Sequence, residues 1–160
     1  MNQSKPFWTI SSLLIVIVIL FFWSWFSNPN REVIAKWKQA GVNCLAAHEK
    51  AGQHIHQHLF IRVDGEEEGI PVDTGIVRGC MAEVHVHEEA GELHVETVDP
   101  AKKITLGQFM TVYGKSLTRA GYRVTLKVDA VPSTKLGDLV LEDGQTIELD
   151  YESIKPDAKE

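Results

Sequence analysis

Sulfur is scarce in this 160-residue chain, which has two cysteines and three methionines. Neither cysteine belongs to a Cys-x-x-Cys pair, so dithiol redox chemistry of the thioredoxin kind has no support. The methionines are too few for a sulfur-rich copper(I) site. Positive charge is also in short supply. Lys5 is the only basic residue before Arg31, and all 22 acidic residues follow Asn30, leaving 15 basic against 22 acidic side chains there, a formal −7. That balance excludes a nucleic-acid surface, which needs a basic stripe, and a polybasic lipid-binding face. An acidic domain instead attracts cations. Gly-x-Ser-x-Gly and His-Glu-x-x-His are both missing, so neither the serine-hydrolase elbow nor the zincin helix is available.

What is present falls into two parts. From Trp8 to Phe26 the chain is uncharged and strongly apolar. Nineteen helical residues at ~1.5 Å each approach a ~30 Å hydrocarbon core, with Trp8, Trp23 and Trp25 at the ends where indole rings settle. A cleaved signal peptide would show a shorter apolar run and small residues after it; Phe-Phe-Trp-Ser-Trp-Phe stands there instead. The expectation is a transmembrane anchor over 1–30, the cell membrane as location, and a single pass with the remaining domain extracytoplasmic. A strict count of Lys5 against Arg31, Lys36 and Lys38 favours the opposite orientation. The very short N-terminal tail and the contents of the domain outweigh that count.

Beyond Asn28-Pro29-Asn30 the pattern predicts an α+β domain. A juxtamembrane helix is expected over 31–52, since Val33, Ile34, Trp37, Ala40, Cys44 and Ala47 recur at helical steps and Gly52 offers a stop. Strands are expected at 54–63, 69–72, 80–87 and 93–98, the last two joined by a hairpin over 88–92. Thr105 caps a helix reaching about Leu117. Strands at 122–131, 139–141 and 146–151 close a domain spanning 53–154, and 155–160 form a flexible tail. This order implies a mixed or antiparallel sheet with a packed helix, β-grasp-like on element order alone.

The chemistry lies in the histidines. All seven fall between positions 48 and 94. Side chains on a strand alternate between faces. His54, His56 and His58 therefore oppose Ile55, Leu59, Ile61 and Val63. Glu83, His85 and His87 oppose Ala82, Val84 and Val86. His94 and Glu96 oppose Leu93 and Val95. If these strands share one sheet and one core, six imidazoles emerge on one surface. Neutral imidazole is the commonest ligand for borderline metals, and His-x-His on a strand sets two ligands side by side. The candidate ligands are His54, His56, His58, His85, His87, His94 and Glu96, for a copper or zinc ion. Glu83 could complete the site or orient a ring. A lone His-x-His is usually a solvated strand face, but two such pairs in phase with His94 are much less readily accidental. A pH-responsive cluster and a purely structural polar network compete with the metal reading.

Two cysteines in an exported domain favour a disulfide, here Cys44 with Cys80, closing a loop of about 36 residues. The competing reading makes Cys80 a thiolate ligand beside His85 and His87.

Taken together, Cys44…His54-Ile-His56-Gln-His58-Leu, Ile70-Pro71…Gly75-Ile76…Cys80…His85-Val-His87…Gly91…His94-Val-Glu96…Thr105-Leu-Gly-Gln-Phe…Tyr113-Gly114 resembles a family of uncharacterised prokaryotic proteins, many of them secreted or membrane-anchored. Their pattern is approximately His-x-His-x-His-Leu, Ile-Pro…Gly-Ile, Cys, Leu-His-Thr-His, Gly-Ile-Ile-His-Val-Glu, Thr-Leu-Gly-x-Phe-Phe…Trp-Gly. The resemblance covers most of 44–114 and implies that both cysteines and six histidines belong to one framework. It implies no activity. This chain departs from the pattern at Glu83, where an aromatic residue is usual, at Val86 for Thr, and at Tyr113 for Trp.

Three functions follow. The first is a membrane-anchored, extracytoplasmic domain that binds or handles copper or zinc. The second is a zinc- or copper-dependent enzyme with Glu83, Glu88 or Glu96 as base. The third is a structural or interaction module of a membrane complex. The expected partners are the metal ion and the membrane, with no nucleic acid; no protein partner can be named.

Overall fold

The computed structural model describes residues 6–26, 30–45, 51–87 and 91–154, without the side chains of 6–11 and 24–26. Two units divide at Val33 and Ile34. In the first, α1 spans Pro6–Phe26. Among the described residues, no helix is long and apolar enough to cross a membrane. The expected transmembrane anchor, the membrane as partner and the single-pass membrane location are corrected on that finding. The side chains of Trp8 and Trp25 lie outside the described residues.

Helix α2, Asn30–Gln39, stops well before Gly52. Gly41 adopts φ +82°, a left-handed conformation that costs glycine little. Its N–H donates to the Lys38 carbonyl, and Val42 N–H donates to the Trp37 carbonyl at 2.9 Å. This is a Schellman cap, sealed by Trp37 and Val42, which are both buried in the core. Cys44 is therefore in a strand, not on the helix stripe that the sequence suggests. Residues 46–50, which include His48, lie outside the described residues.

The strands are β1 Cys44–Leu45, β2 Gln53–Val63, β3 Glu66–Glu67, β4 Ile76–Val77, β5 Cys80–Ala82, β6 Val84–His85 and β7 Glu92–Thr97. Helix α3, Leu106–Tyr113, separates these from β8 Tyr122–Val128, β9 Val131–Ser133 and β10 Thr146–Ser153. The large sheet runs β6-β7-β2-β10-β8-β9, with β3 beside β2; a small sheet runs β1-β5-β4. β10 lies parallel to β2, and the other pairs are antiparallel. The architecture is α+β with a mixed sheet.

Several boundaries differ from the sequence pattern. The strand expected at 69–72 does not form. Pro71 has no N–H for a ladder, and its carbonyl instead closes a turn with Thr74 N–H and Oγ1. The strand expected over 80–87 is cut at Glu83, where the chain leaves the small sheet and enters the large one. The expected 122–131 strand turns at Asp129-Ala130, both at positive φ. Residues 139–141 form one isolated bridge, Thr105 to Val140, and no strand. Helix α3 begins at the Thr105 cap, with a reciprocal Gln108 bond, but ends at Gly114 and not at Leu117. Residues 88–90 of the hairpin and the 155–160 tail lie outside the described residues.

The core joins the buried faces of β2, β7, β8 and β10 to α3. Leu59, Ile61, Leu93, Val95, Ile147 and Leu149 pack with Leu106, Phe109 and Met110. Alternation runs the length of β7, where Leu93, Val95 and Thr97 are buried while Glu92, His94 and Glu96 are half-buried. Gln57 shares the core-facing parity of β2 and is buried, with no partner for its amide among the described residues.

Candidate metal centre

Register brings the histidines together. His56 pairs directly with His94 across β2 and β7, and His85 pairs with His94 across β6 and β7. A row of three imidazoles thus crosses three strands. One residue away Ile55, Val95 and Val84 make the matching apolar row. His54 sits opposite Glu96 in the same register.

Among the described residues two groups result, and within each the ligand atoms all lie within 4.8 Å of one another: His85, His87, His94 and Glu96 form one, and His54, His56 and His94 form the other. Ligand atoms around one ion at ~2.0–2.1 Å lie at most about 4 Å apart, so shifts below ~1 Å per side chain would close either group. His85 Nε2 is 2.8 Å from His87 Nε2. Glu96 Oε1 is 3.3 Å from His54 Nε2 and 4.0 Å from His85 Nε2.

His85 is the buried end of this array. It has no exposed surface, and the segment at Gly75 covers it. A Cβ on Gly75 would lie 3.0 Å from the His85 Cβ and 2.8 Å from the Val84 carbonyl. His85 Nδ1 is 2.8 Å from the Ala82 carbonyl. A carbonyl only accepts, so Nδ1 carries the proton and Nε2 presents its lone pair to the cluster. Burial pushes the His85 pKa down to about 4, with the neighbouring imidazoles adding to the fall, so the ring is neutral at pH 7. Burial, then His56 and His87, also lower His94. A neutral ring with one nitrogen tied to a carbonyl is the form in which imidazole binds a metal.

Six of the seven expected ligands therefore converge: His54, His56, His85, His87, His94 and Glu96. His58 does not. It has the right parity but stands exposed further along β2, its ring facing Phe60 at 6.5 Å. Glu83 is also elsewhere. Its buried carboxylate accepts from Asn43 N–H at 2.7 Å and pairs with Lys102, so it neither completes the cluster nor serves there as a base. Glu88 lies outside the described residues. Cys44 and Cys80 form a disulfide with a Cα separation of 5.0 Å, which removes the thiolate reading of Cys80. Sequence reasoning missed Glu92, whose Oε2 lies 3.5 Å from His94 Nε2; its signal was the shared parity with His94 and Glu96. It also missed the Ala82 carbonyl, a backbone atom that no residue pattern marks.

No family model matches the chain, and no solved structure matches it. A segment of 74 residues, 46% of the chain, is 35% identical to a ribulose-phosphate 3-epimerase of Rhodobacter capsulatus. The match spans about a third (32%) of that relative.

Proposed function

We propose that the histidine face binds a copper or zinc ion and that the protein is a metal-handling domain. The convergence of five imidazoles and one carboxylate from three adjacent strands and the segment that follows β6 carries this reading. Nitrogen with carboxylate oxygen suits Cu2+ and Zn2+, whereas Cu+ favours thiolate or thioether. Both cysteines are committed to the disulfide, so the divalent ions are favoured. The disulfide also supports an oxidising compartment.

An enzymatic reading needs an open coordination position and a free carboxylate base. With Glu83 held by Lys102 and Asn43, the bases in reach among the described residues are Glu92 and Glu96. If Glu96 ligates, the buried group is a closed set of three imidazoles and a carboxylate, which favours holding an ion over reacting on one. The epimerase match offers a sugar-phosphate substrate as a second reading. That match spans 46% of this chain and 32% of that relative, too little to carry the substrate across.

Titration of the full chain with Cu2+ and with Zn2+, followed by metal analysis, tests the proposal. Expected are stoichiometric binding, a rise in Tm on metal addition, and at least ~100-fold weaker binding in His94→Ala, since even outer-shell partners are worth 10–100-fold. Absence of bound metal with an unchanged Tm would reduce the cluster to a structural or interaction surface.

A further inference from the structure

The two ligand groups share a residue. His94 belongs to both, and it stands in the middle of the row His85–His94–His56. Glu96 is nearly shared as well. Its Oε1 lies within 4.0 Å of both His85 Nε2 and His54 Nε2. Exposure is graded along the array: the His54 side chain is 47% exposed, His94 14% and His85 0%. One set therefore faces solvent and the other reaches in to the enclosed His85, and they meet at His94.

Filling both sets at once would place two dications a few ångströms apart. Among the described residues, Glu96 within the sets and Glu92 beside His94 carry the compensating charge, and repulsion at that range is severe in a half-buried site. Moving one ion from one set to the other exchanges His54 and His56 for His85, His87 and Glu96 around a residue common to both, so no bare ion has to be released.

Resting on the metal-binding reading above, we infer that a single ion enters at His54, His56 and His94 and is handed inward to His85, His87, Glu96 and the same His94. The outer set is the receiving position and the inner set the holding position. The ligand chemistry is that of a divalent, nitrogen-preferring ion delivered from outside by a weaker complex.

The test uses the full chain with Cu2+ alone, delivered as a weak amino-acid complex and later stripped by a strong chelator. Rates are followed by ligand-field absorption and the coordinated nitrogens by electron paramagnetic resonance. The wild-type chain should take up one Cu2+. The double variant His54→Ala/His56→Ala should still end with one Cu2+ and an unchanged final spectrum, but load about 10-fold more slowly. His87→Ala, at a half-buried position, should load at the normal rate and release to the chelator about 100-fold faster, because affinity differences reside mainly in the off-rate. Near-ultraviolet circular dichroism establishes that each variant is folded. Two ions per wild-type chain with a magnetically coupled spectrum would overturn the hand-off in favour of a His94-bridged pair. One ion with loading unaffected in the outer double variant would overturn the hand-off alone. Failure of the wild-type chain to bind Cu2+ would overturn the metal reading itself.

Discussion

His85 Nε2 and His87 Nε2 face one another at 2.8 Å. With His85 Nδ1 bonded to the Ala82 carbonyl, the His85 nitrogen at this contact is an acceptor, and His87 must supply the proton between them. An ion bound by both nitrogens would take the place of that proton, so metal binding at the proposed site would break this hydrogen bond.

The two carboxylates near this pair should behave oppositely. Glu96→Gln should weaken metal binding by about 10–100-fold with little change in stability. Glu83→Gln should leave metal affinity intact and destabilise the fold, because Lys102 and the Asn43 N–H lose a buried anionic partner; the loss should be about 1–3 kcal/mol. Calorimetric titration and urea melts on the same samples separate the two effects.

The disulfide should contribute stability and not ligation. Cys44→Ser/Cys80→Ser should lose about 3–4 kcal/mol, as expected for a loop of some 36 residues. Its metal stoichiometry should equal that of the wild-type chain. A lost metal equivalent in this double variant would restore the thiolate role for Cys80.

Acid should unfold the metal-free protein in two windows. His85 is lowered from 6.5 to about 4 in the fold, so the unfolded chain binds its proton first. Its contribution, on the order of 3 kcal/mol, is present above pH 6.5 and is lost as pH falls to about 4. Glu68 is held at about 2, below the ordinary 4.5, chiefly by Arg119 and also by Lys115. Its contribution is present above pH 4.5 and is lost as pH falls to about 2. Urea midpoints measured against pH should lose the upper window in His85→Gln and the lower in Glu68→Gln.

Two backbone positions should respond in opposite directions. Gly75 has φ +89° and no room for a Cβ against Val84, Val112 and His85. Gly75→Ala should therefore cost about 1–3 kcal/mol and weaken metal binding through His85. Ala130 holds φ +66° in the turn between β8 and β9, so Ala130→Gly should raise stability by about 1 kcal/mol with no effect on metal. Thermal melts with and without Zn2+ resolve both.

Much of the site was legible because alternation is local. The parity of His54, His56, His85, His87, His94 and Glu96 needs only each strand's own pattern, and the hairpin before β7 fixes one relative register. The disulfide was legible from the cysteine count. Depth was less so: His85 is enclosed because the Gly75 segment lies over it, a contact between residues ten apart in a turn. Glu83 has the parity of His85, but the chain changes sheets at that position and carries its carboxylate to Lys102. The end of α2 was misplaced because Gly41, followed by the buried Val42, is a stronger stop than Gly52. The β2–β10 pairing joins segments nearly ninety residues apart and leaves no trace in either one.

That last pairing bears on when the site can exist. β2, which carries His54 and His56, has β7 on one side and β10 on the other, with Thr146 beside His58 and Tyr151 beside Val63. During translation the strand keeps one bare edge until residues 146–153 have left the ribosome. The ligands are thus synthesised early and assembled late, so a nascent chain shorter than about 150 residues would carry its imidazoles without a surface to hold them in place.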